Sequence, residues 1–118
     1  MTTKVLIVED EIISAMALAE TIPAWGCRVV DMVVSGEDAI RAAEAHRPDV
    51  VLMDVTLHGS IGGIGAAREI IGRLGIPVIF MTGHDDAKTT KALRNLKPLA
   101  MLVKPLDSAA LKELLEGI

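Results

Sequence analysis

Five times along this chain a short apolar run gives way to a longer amphipathic stretch. The runs are Val5–Val8, Val29–Val34, Val50–Met53, Val78–Met81 and Ala100–Val103. They are short, mostly rich in β-branched residues and not strictly alternating, a pattern that predicts strands buried on both faces. The stretches between them carry apolar residues at helical spacing. Ile12–Ile22 places Ile12, Ile13, Met16, Ala19 and Ile22 on one predicted stripe. Gly36–His46 carries Ala39, Ile40 and Ala43, Gly65–Leu74 carries Ile70, Ile71 and Leu74, and Asp107–Leu115 carries Ala110, Leu111, Leu114 and Leu115. Asp85–Leu96 is the most polar of the five predicted helices.

Strand and helix in regular alternation call for a parallel sheet with helices on both faces. Right-handed crossovers leave few ways to order the strands. The expected architecture is α/β: a flavodoxin-like, doubly wound, five-stranded parallel sheet in the order 2-1-3-4-5, with five helices. No internal repeat, low-complexity tract or linker interrupts the pattern, so residues 1–118 are expected to form a single domain. Ligands in such a sheet sit beyond the carboxyl ends of the strands, at the switch point between strands 1 and 3.

The residues at those ends are Glu9-Asp10-Glu11 after strand 1, Asp54 after strand 3, Thr82-Gly83 after strand 4 and Lys104-Pro105 after strand 5. Each has an ordinary reading. Asp10 or Glu11 suits a helix start, Asp54 a turn, Thr82 a cap, and Lys104 a surface position. Their coincidence at one sheet edge is the signal. Carboxylates brought together from two strands repel, and each raises the other's pKa. A divalent cation relieves that conflict. A small, oxygen-only ligand set suits Mg²⁺, which keeps several waters and accepts phosphate oxygens. With a lysine and a hydroxyl beside it, such a cleft is suited to a phosphoryl group in transfer, with a carboxylate as nucleophile and an aspartyl phosphate as product.

Composition narrows the alternatives. Aromatic residues are only 2% of the chain, so the core is aliphatic and no stacking platform exists for single-stranded bases. The net charge of -4 argues against a nucleic-acid wrapping surface. Cys27 is the single cysteine, which excludes an internal disulfide and reads as a small core hydrophobe in a reduced setting. No run reaches the length of a membrane span, and the expectation is a soluble, cytoplasmic protein. The stretch Gly59–Gly65 is rich in glycine but is not a nucleotide loop: Arg68 stands where a third glycine belongs, and no Gly-Lys-Ser/Thr follows.

VLIVEDE at strand 1, VVLMDVTL at strand 3, IFMTG at strand 4 and MLVKP at strand 5 together resemble the receiver domain of bacterial response regulators, over essentially the whole chain. The resemblance implies a role for each matching position. Asp54 would be the phosphoacceptor. Asp10 would bind Mg²⁺ directly, Glu9 largely through water, and Thr56 by its backbone carbonyl. Thr82 would hydrogen-bond a phosphoryl oxygen and Lys104 would pair with the phosphoryl group, aimed by a cis bond to Pro105. Glu11 keeps its default role at the helix start. Asp54 is expected at the cleft mouth, partly exposed.

The family usually carries an aromatic residue three before the lysine, which turns inward on activation. Here Met101 stands there, and the chain has no tyrosine. Phe80-Met81-Thr82-Gly83, together with His58-Gly59, is similar to a receiver subfamily marked by Phe-Ala-Thr-Gly, with Met81 in place of alanine. That likeness implies that Gly83 and a mobile segment 84–96 carry the conformational change. His84 and Thr56 flank the expected phosphate position and are candidates to tune dephosphorylation. Trp25 is expected at the end of helix 1, away from the cleft.

The resemblance implies a signalling domain that catalyses only its own phosphorylation and dephosphorylation. Its partners would be a histidine kinase or phosphotransfer protein, and a downstream protein on the helix 4–strand 5–helix 5 face. No direct contact with nucleic acid or membrane is expected. A phosphate-independent pseudo-receiver, acting as an interaction module, is the alternative. An aspartyl-phosphate phosphatase would need a second acid at position 56, where Thr56 stands. An FMN carrier would need a hydroxyl-rich loop where Glu9-Asp10-Glu11 lies.

Overall fold

The computed structural model describes residues 2–57, 61–83 and 87–118, without the side chains of 87–89. His58, Gly59 and His84, and part of segment 84–96, therefore lie outside the described residues. Five parallel strands form one sheet in the order β2-β1-β3-β4-β5. They are β1 (Lys4–Val8), β2 (Arg28–Val33), β3 (Val50–Asp54), β4 (Val78–Thr82) and β5 (Ala100–Val103). The helices are α1 (Ile12–Thr21), α2 (Gly36–His46), α3 (Gly62–Glu69), α4 (Ala87–Asn95) and α5 (Ser108–Glu116). A 3-10 turn, Ile22–Trp25, continues α1, and a π turn, Ile70–Leu74, continues α3.

Strand side chains alternate between the two faces, and the core divides accordingly. Leu6, Val8, Val51, Met53, Val78 and Phe80 pack with Ala39 and Ala43 of α2, Ala66 and Ala67 of α3, and Leu93 of α4. Val5, Ile7, Val50, Leu52, Ile79 and Met81 pack on the other face with Ala15 of α1 and Leu111 and Leu115 of α5. Alanines line α2 and α3 where they approach the sheet, and β-branched and leucine side chains fill the space.

Two expectations need correcting. β1, β3 and β4 are buried, but β2 and β5 are only partly so, because each forms an edge of the sheet and has one neighbour. The stripe expected on α1 holds only at its C-terminal end, at Ala19 and Ile22. Ile12 is 69% and Ile13 85% exposed, and Met16 is exposed too, while Ala15, Leu18, Ala19 and Ile22 meet the core. The helix is apolar on nearly every side, so spacing alone does not choose its inner face.

The helix ends explain some of the boundaries. Ser35 caps α2, its Oγ accepting from the Asp38 N–H at 3.2 Å. Asp107 caps α5, its Oδ1 accepting from the N–H groups of Ala109 (2.9 Å) and Ala110 (3.4 Å). Helix α3 begins at Gly62, earlier than the apolar pattern alone predicts.

Candidate functional site: an acidic cleft at the carboxyl edge of the sheet

Register assembles the site. Val8 pairs with Met53, so Glu9 and Asp54, the next residue on each strand, emerge side by side. Asp54 pairs with Met81, and Thr82 with Val103. Thr82 and Lys104 therefore leave the sheet at the same level, and the Thr82 carbonyl accepts from the Lys104 N–H at 2.8 Å. The Lys104–Pro105 peptide bond is cis.

Lys104 Nζ donates to Glu9 Oε2 at 2.8 Å and to Asp54 Oδ2 at 3.2 Å. The other Asp54 oxygen, Oδ1, accepts from the Thr56 N–H at 2.9 Å and from the Thr56 hydroxyl at 3.0 Å. Glu9 Oε1 accepts from the Glu11 N–H at 3.1 Å. Ligand oxygens of Glu9, Asp10 and Asp54 lie within 4.8 Å of one another. Thr82 is buried beside them, Asp10 is half-buried, and Gly83 is exposed.

Asp54 is not at an exposed mouth: it is 1% exposed, as is Glu9. A bare carboxylate would be costly there. Lys104 and Thr56 supply the compensating donors, from fifty and two residues away. Burial pushes the Asp54 carboxyl up, but the Glu9 side chain, Thr56 and Lys104 hydrogen-bond to its charged form and hold it below its ordinary value. Glu9 moves the other way: burial, then the neighbouring Asp54, raises it against the pull of Lys104 and the Glu11 N–H. Of the two buried acids, Asp54 is the one whose charged form its surroundings favour more. Burial works against the charge on Lys104, but its pairing with Glu9 and Asp54 prevails and raises it.

The donor set fits a hard cation. All three side chains offer carboxylate oxygens, with no sulfur or imidazole among them. Thr56 takes both lone pairs of Asp54 Oδ1, while Oδ2, which accepts from Lys104, keeps a further one. A groove of about 550 Å³ runs beside the cleft between α1 and α5, past Glu9 and Lys104 to Trp25 and Leu111. Trp25, expected far from the site, thus lines a groove that reaches its edge. The Asp54–Thr56 hydroxyl contact was missed by sequence reasoning. Its only trace is a threonine two residues after the aspartate, a spacing that suits a local side-chain turn.

The pattern that defines the response regulator receiver domain matches residues 5–116. This chain belongs to that family. It is 36% identical over 104 residues to the transcriptional regulatory protein PdtaR of Mycobacterium tuberculosis, a match covering 88% of this chain and 50% of that protein. It is 32% identical to a protein-glutamate methylesterase/protein-glutamine glutaminase of Vibrio vulnificus, covering 93% of this chain and 30% of that one. The chain therefore spans half or less of the length of these relatives. Among solved structures, the signal receiver domain of a modulated diguanylate cyclase from Desulfovibrio desulfuricans superposes with a TM-score of 0.93 at 31% identity, over 99% of this chain and 93% of that one. The receiver domain of a sensor histidine kinase from Pseudomonas aeruginosa, solved with a magnesium ion in its active site cleft, gives a TM-score of 0.86 at 28% identity, over 99% and 97% of the two chains.

Met101 of this receiver lies opposite Phe80 in the sheet and is half-buried against the same core cluster. Among the described residues, no helix is long and apolar enough to cross a membrane.

Proposed function

We propose that residues 1–118 act as one phosphoacceptor receiver domain, taking a phosphoryl group from a phosphohistidine onto Asp54. The observation that carries this reading is the buried Asp54 carboxyl group, held by Lys104 and Thr56 within an acidic cluster. In the transfer, an Asp54 carboxylate oxygen forms a bond to phosphorus as the phosphorus–nitrogen bond of the donor breaks. The electron pair of that bond returns to the imidazole. The nucleophile carries no proton, so no general base is required. Lys104 swings its ammonium from the two carboxylates to a phosphoryl oxygen, and the Thr82 hydroxyl donates to another. Asp10, Asp54 and the Thr56 carbonyl would hold Mg²⁺, with Glu9 acting through water. When bound, Mg²⁺ supplies positive charge against the phosphoryl oxygens.

The phosphohistidine donor would be a histidine kinase or a phosphotransfer protein, in the cytoplasm. Output would pass through the α4–β5–α5 face as a shift between two populated states. Met101, packed beside Phe80, takes the place of an aromatic switch, and Gly83 is the proposed hinge after β4. His84 lies outside the described residues, and its proposed influence on dephosphorylation rests on the resemblance alone.

Intact-mass measurement after incubation with acetyl phosphate or a phosphohistidine donor tests the reading. One phosphoryl adduct is expected on the wild type, dependent on Mg²⁺ and lost in Asp54→Asn. No adduct from either donor would overturn it and favour a phosphate-independent interaction module.

A further inference from the structure

The N-terminal turn of α3 lies directly against the backbone of the proposed phosphoacceptor. A Cβ at Gly63 would overlap the Asp54 carbonyl oxygen and stand 3.2 Å from the Val55 Cα and 3.3 Å from the Asp54 carbonyl carbon. All three are main-chain atoms of a strand end, which cannot swing aside as a flexible side chain can. Gly63 does not have a positive φ, so close approach, rather than backbone freedom, is what demands glycine there. One layer out the same thing recurs. A Cβ at Gly36, the first residue of α2, would stand 2.6 Å from the Gly62 carbonyl oxygen and 2.9 Å from Ile61 Cγ1. The adjoining Glu37 Oε1 accepts from the Ile61 N–H at 3.2 Å. The start of α2 is thus seated on the start of α3, and the start of α3 on Asp54.

The peptide under Gly63 is the one that shapes the site. The Asp54 carboxylate is oriented by hydrogen bonds from Thr56, two residues on, and those bonds close over the Asp54–Val55 peptide. Displacing that peptide turns the carboxylate and moves Thr56 with it. We propose that Gly63 and, behind it, Gly36 are positioning residues, whose lack of side chains lets two stacked helix ends fix the direction of the Asp54 carboxylate. The inference rests on Asp54 as the phosphoacceptor only for its consequence in rate; the geometry can be tested separately.

The test compares Gly63→Ala, Gly36→Ala, Gly72→Ala and Leu115→Ala with the wild type. A methyl group at Gly72 would meet nothing within 4 Å, and Leu115 is a buried core residue of α5, away from the cleft. Two quantities are read at a temperature where circular dichroism shows each variant folded. One is the phosphorylation rate constant at saturating acetyl phosphate and Mg²⁺. The other is the set of amide chemical shifts of Asp54, Val55 and Thr56. Gly63→Ala is expected to lower the rate constant by at least about tenfold, the scale of loss that follows a sub-ångström misplacement. Gly36→Ala acts one layer removed and is expected to lower it less. Both move the three amide shifts. Gly72→Ala and the merely destabilised Leu115→Ala keep the wild-type rate and shifts.

A Gly63→Ala protein with wild-type rate and unmoved shifts would overturn the inference. So would a rate loss in Leu115→Ala equal to that in Gly63→Ala, which would reduce the effect to general destabilisation. If Gly63→Ala does not fold, Gly36→Ala decides by the same two readouts. If the wild type takes no phosphate, the parent reading fails, and this inference then stands or falls on whether the Asp54–Thr56 shifts move.

Discussion

Lys104 holds two buried carboxylates at once, and this sets what its removal does. Replacing it with methionine keeps the stem and leaves Glu9 and Asp54 without their ammonium. Breaking a fully buried pair costs several kcal/mol, but the Lys104 side chain is 23% exposed and water shares the load. Lys104→Met is therefore expected to lose about 1–3 kcal/mol in Mg²⁺-free urea melts. The same change removes a cation that competes for the acidic cluster. Mg²⁺ is expected to bind the variant more tightly than the wild type, and to restore much of the lost stability. Unchanged melts with weakened Mg²⁺ binding would contradict this account of the lysine.

The secondary-structure elements carry their own tests. Because α1 turns Ile13 outward, Ile13→Ser is expected to change stability by under about 0.5 kcal/mol. Ile22, fully buried at the end of that helix, is expected to cost about 2–5 kcal/mol as Ile22→Ala. The reverse ranking would mean that the helix packs by its other face. At α5, Asp107 serves two N–H groups of the first turn. Asp107→Ala is expected to cost about 1 kcal/mol, measured in the same urea melts. An unaltered midpoint would show that solvent replaces the cap.

Across the whole molecule, pH acts through a group far from the cleft. Cys27 is buried against the α1–α5 side of the sheet. Burial, and after it the charge of Glu116, raises its thiol above the ordinary value of 9.0. The folded protein thus keeps that proton where the unfolded chain has lost it. Stability from this source is intact below the unfolded thiol's pKa and falls as pH rises through it. Between about pH 7.5 and 9.5, wild type is expected to lose more stability than Cys27→Ala in parallel urea melts. Equal losses would mean that the thiol titrates freely in the folded state.

Much of this molecule follows from one-dimensional pattern. Five apolar runs and five amphipathic stretches, with short connections, dictate a parallel sheet and its helices, because backbone hydrogen bonding and right-handed crossover leave little else. The carboxylates, threonine and lysine at the strand ends were legible for the same reason: strand ends meet at one edge. Three features were not legible. The inner face of α1 depends on which of several apolar sides meets the sheet. The burial of Asp54 depends on Lys104, brought from the far end of the chain by the register of β4 with β5. The need for glycine at Gly36 and Gly63 arises where two helix ends close on a strand. Local sequence encodes hydrogen-bonding propensity and polarity along the chain; which atoms touch across it is set by packing, and packing is where the carboxylate acquires its surroundings.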